Sequence, residues 1–91
     1  MANITIPTPL RAYTNQQKAV DVSGATVGQA IDDLTRQFPA LRDHLFNGVE
    51  LRRFVNIYIG EDDIRFLSGL ETEISERESL RIIPTVAGGK A

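Results

Sequence analysis

The sequence predicts an α+β domain in which one amphipathic helix packs across a mixed sheet of four to five strands. Three observations predict it. Short runs of period-two alternation, rich in β-branched residues, occur near the start, in the middle and near the end of the chain. Only one long stretch, Val27 to Phe38, carries the helical period instead. The length, 91 residues, suits a single core, and a domain of that size buries roughly 60–65% of the surface its unfolded chain exposes. Laying one helix over a sheet is the economical way to cover apolar faces of this kind. Residues 1–91 are therefore read as one domain, with a body over 1–84 and a tail over 85–91.

The elements follow in order. Ala2 to Pro7 alternates polar and apolar residues, which places Ile4 and Ile6 on one face of a strand. Pro7 and Pro9 stop it, because proline has no N–H to give to a ladder. Leu10 to Gln16 reads as a turn or loop with its tightest bend at Thr14-Asn15. Lys18 to Val22 alternates again and completes a hairpin with the first strand. Ser23-Gly24-Ala25 breaks that strand, and Thr26 with Gln29 has the spacing of a capping box. Val27, Ala30, Ile31, Leu34 and Phe38 then make one apolar helical stripe, which Pro39 ends. Leu41, Leu45 and Phe46 suggest a short helical turn before Asn47-Gly48.

Arg53 to Ile59 is the clearest strand. Val55, Ile57 and Ile59 share the face expected to meet the helix, and Phe54, Asn56 and Tyr58 share the open one. Gly60 to Asp63 reads as a turn, Ile64-Arg65-Phe66 as a short returning strand, and Leu67 to Thr72 as a loop. Glu73 to Glu78 is a charged turn, and Ser79 to Pro84 is the last strand. The order is β-β-α-β-β-β. With the first hairpin beside the last strand, and a right-handed crossover between parallel neighbours, this is the β-grasp arrangement.

Composition excludes several functions. There is no cysteine, hence no disulfide framework, no cysteine zinc site and no thiol nucleophile. A net charge of −2 lacks the basic footprint of nucleic-acid binding. Arg52-Arg53 reads as a solvated strand entry. No apolar run approaches the ~18 residues of a membrane span, and the start carries no secretory pattern, so a cytoplasmic location is expected. His44, the sole histidine, reads as a surface residue. The acids Glu61, Asp62 and Asp63 lack calcium-loop spacing, so no metal site is expected. No Ser-His-Asp, HExxH or phosphate-loop pattern is present, and an enzyme acting alone is not expected.

The chemistry is expected in the tail. Pro84-Thr85-Val86-Ala87-Gly88-Gly89 follows the last strand. Two adjacent glycines reach backbone angles closed to other residues and make a chain thin enough to thread into a narrow active site. Several passages carry a resemblance: Arg53-Phe54-Val55-Asn56-Ile57-Tyr58 leading to Asp63-Ile64-Arg65-Phe66, Ile82-Ile83-Pro84-Thr85-Val86-Ala87-Gly88-Gly89, and Ile6-Pro7-Thr8 with Leu10-Arg11. On these passages the chain resembles the ubiquitin-like bacterial sulfur carriers of the MoaD/ThiS type, over essentially its whole length. It is most similar to the branch that carries sulfur for cysteine synthesis.

The resemblance implies a carrier, not a catalyst. Its reactive group would be the carboxylate of Gly89, with Val86, Ala87 and Gly88 threading into partners. A free α-carboxyl has a pKa of about 3.3–3.7, so it is ionised at neutral pH. It would attack the α-phosphate of ATP on an E1-like adenylating enzyme, and a sulfur donor would convert the acyl-adenylate into a thiocarboxylate. The carrier itself would hold no cofactor. ATP and the sulfur donor would be used by partner enzymes. In the cysteine branch, a pyridoxal-phosphate-dependent cysteine synthase would accept the sulfur, and a zinc metalloprotease would release the product. Sulfur supply to molybdopterin or thiamine synthesis, and conjugation to proteins through Gly89 as a modifier, are the alternatives. Phe54, Asn56 and Tyr58 are the expected docking residues. One departure matters: Lys90 and Ala91 follow Gly89, so the Gly89 carbonyl is a peptide amide as written. The expectation is a precursor, cut between Gly89 and Lys90 before activation.

Overall fold

A computed structural model describes residues 1–48, 50–52 and 55–84. The strands are β1 (Ala2–Thr5), β2 (Ala19–Val22), β3 (Phe46–Asn47), β4 (Glu50–Leu51), β5 (Val55–Ile59), β6 (Asp62–Asp63) and β7 (Ser79–Pro84). The helices are α1 (Val27–Gln37) and the single turn α2 (Arg42–Leu45). Five strands form one sheet in the order β2-β1-β7-β5-β6, and β3 and β4 form a separate antiparallel pair. β1 pairs antiparallel with β2 and parallel with β7, and β7 pairs antiparallel with β5. The first hairpin thus lies against the last strand, as the alternation pattern predicts.

The helix begins where its capping residues place it. Thr26 Oγ1 accepts from Gln29 N at 3.2 Å. Gln29 Oε1 reaches one residue further back than a capping box requires and accepts from Ala25 N at 2.8 Å. The segment before β7 closes over the same end: Val27 N donates to Thr72 O and Ile74 N to Ala25 O, both at 2.9 Å. That satisfies an N–H with no partner inside the helix. At the other end Phe38 N donates to Leu34 O at 2.9 Å, and Pro39 follows. Val27, Ala30, Ile31 and Leu34 are fully buried against Ile4, Val22, Ile57 and Leu80 of the sheet, with Leu41 and Leu45 closing the side.

Four local expectations are corrected. Leu10 to Gln16 is not an open loop: Thr8–Thr14 is a 3-10 helix, and Asn15 (φ 55°) with Gln16 (φ 64°) makes the bend after it. Thr14 anchors that bend, fully buried, with its hydroxyl 3.2 Å from Arg11 O and 3.1 Å from Gln17 O. Ile64–Phe66 is a 3-10 turn and not a strand. The returning strand is Asp62–Asp63, two residues earlier, joined to β5 by a two-residue loop with Gly60 at φ 62°. Asp63 Oδ1 accepts from Arg65 N at 2.8 Å and caps the 3-10 turn. The Leu67–Thr72 loop contains a second 3-10 turn, Gly69–Glu71. Phe46 leaves the helical turn and pairs with Leu51 as β3.

Candidate functional site

Among the described residues, one face of the sheet carries α1 and the other is open. The alternation along β5 decides which side chains reach the open face. Val55 and Ile57 are buried under the helix, and Asn56 and Tyr58 are half-buried on the far side. β7 follows the same rule, with Leu80 and Ile82 inward and Arg81 and Ile83 outward. The register sets Asn56 opposite Ile83 and Tyr58 opposite Arg81. These four side chains form a contiguous patch across the two strands next to the end of the sheet from which the chain continues beyond Pro84. Of the three expected docking residues, the structure brings Asn56 and Tyr58 together here, and Phe54 lies outside the described residues.

Arg81 is held in place. Its Nη2 donates to Gly60 O at 2.6 Å, and its guanidinium stands 5.6 Å from the centre of the Tyr58 ring. The contact presents a fixed cation beside an aromatic face and the outward Ile83, which is 39% exposed. Arg65 does similar work at the sheet's edge. β6 covers only Tyr58 and Ile59 of β5, and beyond it Arg65 Nη2 donates to Val55 O at 3.0 Å and Nη1 to Asn56 Oδ1 at 2.5 Å. The guanidinium thereby occupies backbone that a longer β6 would have paired. An open groove of about 310 Å³ lies behind it, lined mainly by Leu51, Val55, Ile57, Ile64 and Leu70. Phe66, 87% exposed, stands on the adjoining turn.

Sequence reasoning missed Arg81 and Ile83. The signal was present: once β5 and β7 are neighbours, the alternation of β7 puts both residues on the face of Tyr58. Arg65 could not be found this way, because its role depends on how short β6 is. Among the described residues, no three His, Asp or Glu side chains stand together as a metal site, and no helix is long and apolar enough to cross a membrane. Tyr13 and His44 stack at 4.2 Å between ring centres, so the lone histidine has an aromatic neighbour on the surface. The expected tail residues Val86, Ala87, Gly88 and Gly89, and the residues Lys90 and Ala91 after them, lie outside the described residues.

This geometry, a mixed five-stranded sheet with parallel terminal strands and a helix across one face, defines the ubiquitin-like β-grasp class. Residues 4–89 match the ThiS family, and the chain belongs to it. Over 89 residues, 94% of this chain and 96% of the relative, it is 43% identical to "Sulfur carrier protein CysO" of Mycobacterium tuberculosis. Among solved structures, the "Amycolatopsis orientalis BexX/CysO complex" matches with a TM-score of 0.90 and 39% identity, covering 98% of this chain and 100% of the other. The crystal structure of Mycobacterium tuberculosis CysO matches with a TM-score of 0.86 and 39% identity, covering 94% and 100%.

Proposed function

We propose that this protein is a sulfur carrier whose Gly89 carboxylate is adenylated and converted into a thiocarboxylate that donates sulfur for cysteine biosynthesis. The observation that carries the reading is the extent of the family match, which runs to Gly89 and stops there. The cysteine branch rests on the relatives named CysO. Nothing in the described body offers a competing nucleophile of sulfur type, because the chain has no cysteine. The sulfur must therefore arrive on the chain from a donor, and a terminal carboxylate is the group an adenylating enzyme can activate for that exchange.

As the sequence stands, Gly89 is followed by Lys90 and Ala91, and its carbonyl is an amide. The proposed sequence of events starts with cleavage of that bond, for which a zinc metalloprotease is the proposed agent. An E1-like enzyme then binds the patch of Asn56, Tyr58, Arg81 and Ile83 and receives the tail. A pyridoxal-phosphate-dependent cysteine synthase is the proposed acceptor. The carrier's own residues do two things: they dock, and they deliver an end without bulky side chains. Solved as a complex with BexX, the Amycolatopsis CysO shows that a relative of this fold assembles with a protein partner.

Intact-mass measurement tests the reading. The chain ending at Gly89 is incubated with ATP, the adenylating enzyme and a sulfide source. The expected result is the mass gain of one oxygen replaced by sulfur, at the C-terminus, and capture by a thiol-alkylating reagent. The reading fails if pyrophosphate is released and the acyl group ends on amines of other proteins instead, which is the behaviour of a modifier.

A further inference from the structure

Four asparagines lie among the described residues, and one of them, Asn47, precedes a glycine. The side-chain amide of an asparagine is open to attack by the backbone nitrogen of the next residue, and what that residue carries decides how readily. Ile4 follows Asn3 and Ile57 follows Asn56, each with a branched side chain crowding its own nitrogen. Asn56 Oδ1 is also held by Arg65 Nη1. Gln16 follows Asn15, and its N–H donates to Arg11 O at 2.8 Å. Gly48, after Asn47, has no Cβ. Its φ is 75°, and nothing beyond its chain neighbours lies within 4 Å of where a Cβ would stand.

The hairpin keeps this nitrogen out of the ladder. Asn47 of β3 faces Glu50 of β4, and Arg52 N donates to Leu45 O at 2.9 Å. Bonded pairs alternate along an antiparallel ladder, so Asn47 and Glu50 are the next bonded pair and Gly48 stands one residue past it. Among the described residues, no hydrogen bond takes up Gly48 N or the Asn47 side chain, and both residues are exposed. The pair is also short, with two residues to each strand, and separate from the five-stranded sheet. So small a two-stranded ladder is marginal in water and opens locally at far less cost than global unfolding. Opening gives Asn47 the backbone rotation that ring closure needs.

We propose that Asn47-Gly48 is a self-modifying site, and that its conversion to an isoaspartyl linkage unfastens β3 from β4 as the protein ages. Gly48 N attacks Asn47 Cγ. The new N–Cγ bond closes a cyclic imide, the bond from Cγ to the side-chain nitrogen breaks, and ammonia leaves with the proton that Gly48 N gives up. Water then opens the imide. Attack at Cγ gives an aspartyl residue in a normal chain. Attack at the main-chain carbonyl carbon of residue 47 routes the chain through the side chain instead. Water enters and ammonia departs, and nothing is oxidised or reduced. The isoaspartyl route adds one methylene to the backbone of a strand two residues long, so the Asn47–Glu50 and Phe46–Leu51 pairs cannot both keep their register. Leu51 also lines the groove beside Val55 and Ile64, which thereby loses a fixed wall.

The test ages the full chain in neutral buffer and digests it with trypsin. The expected product is a peptide of residues 43–52 whose mass has risen by the difference between a hydroxyl and an amino group. Part of it should be an isoaspartyl form that accepts a methyl group from an isoaspartate-specific carboxyl methyltransferase. Conversion should run roughly tenfold or more ahead of that in the peptides carrying Asn3, Asn15 and Asn56, and faster as pH rises, because the attacking amide nitrogen must lose its proton. Hydrogen exchange reads the unfastening: the Arg52 amide, bonded to Leu45 O, should exchange about tenfold faster in the aged chain. Asn47→Gln keeps an amide but would have to close a larger ring, and should abolish both changes. The site is overturned if Asn47 converts no faster than Asn15 or gives no isoaspartyl form. The unfastening is overturned if conversion leaves Arg52 exchange unchanged, or if exchange rises equally in the aged Asn47→Gln chain.

Discussion

At Gly24 a methyl group has nowhere to go. A Cβ there would stand 2.7 Å from Gln29 Cβ and 2.8 Å from Ala30 N, both in the first turns of α1. Those atoms belong to a helix start already fixed by Thr26 and by the Ala25–Gln29 bond, so relief requires backbone movement. Gly24→Ala is expected to destabilise the fold by about 2 kcal/mol or more, read as a fall in Tm and in the denaturant midpoint. Thr26→Ala, which removes only the cap, should cost about 1 kcal/mol. The ranking is the check: a Thr26 variant less stable than the Gly24 variant would refute the packing argument. The two positions also differ in legibility. Thr26 and Gln29 announce a helix start by their chemistry and spacing. The constraint at Gly24 arises only when the strand exit folds against the helix, which no local pattern records.

At the level of elements, β5 and β7 divide their residues between two tasks. Inward residues hold the core: Ile57→Ala leaves a cavity beneath α1 and should cost about 2–5 kcal/mol, with loss of cooperative unfolding if the sheet centre opens. Outward residues should behave differently. Arg81→Glu reverses the cation that Tyr58 and Gly60 hold in place, and is expected to lower kcat/KM of the adenylating partner at least tenfold while Tm moves by only a few degrees. An unchanged kcat/KM would remove the β5–β7 face from the docking surface. The alternation that separates these tasks was readable in both strands. It misled at Ile64-Arg65-Phe66, where three residues fit a strand as well as a turn. The deciding residue was Asp63, whose carboxylate caps the backbone N–H of Arg65 and turns the chain into a 3-10 helix. Its identity as a capping residue was visible; the competition it won was not.

For the whole molecule, the sequence carried the single core, the main helix between its flanking strands and the first hairpin as a neighbour of the last strand, but not the β3–β4 pair. It did so because a period of two and a period of 3.6 leave few ways to bury both kinds of face. Among the described residues, every member of the hydrophobic core lies at or before Ile82. Removing residues 85–91 is therefore expected to leave Tm within about 1 kcal/mol of the parent in stability terms, while abolishing thiocarboxylate formation. A large loss of stability in that variant would mean the tail belongs to the fold as well as to the chemistry.

The position of β7 has a consequence for synthesis. It lies between β1 and β5, so until it is made the sheet has no centre, and its two halves have nothing to join them. Chains emerge N-terminus first, and this one supplies its central strand among its last residues. The β1–β7 and β5–β7 pairings are also the long-range contacts that make such topologies slow to fold. A newborn copy thus cannot offer a finished docking face before β7, five residues short of Gly89, has been translated. Completion of the sheet therefore precedes arrival of the reactive end by only a few residues, and a translation product truncated before β7 would lack both together.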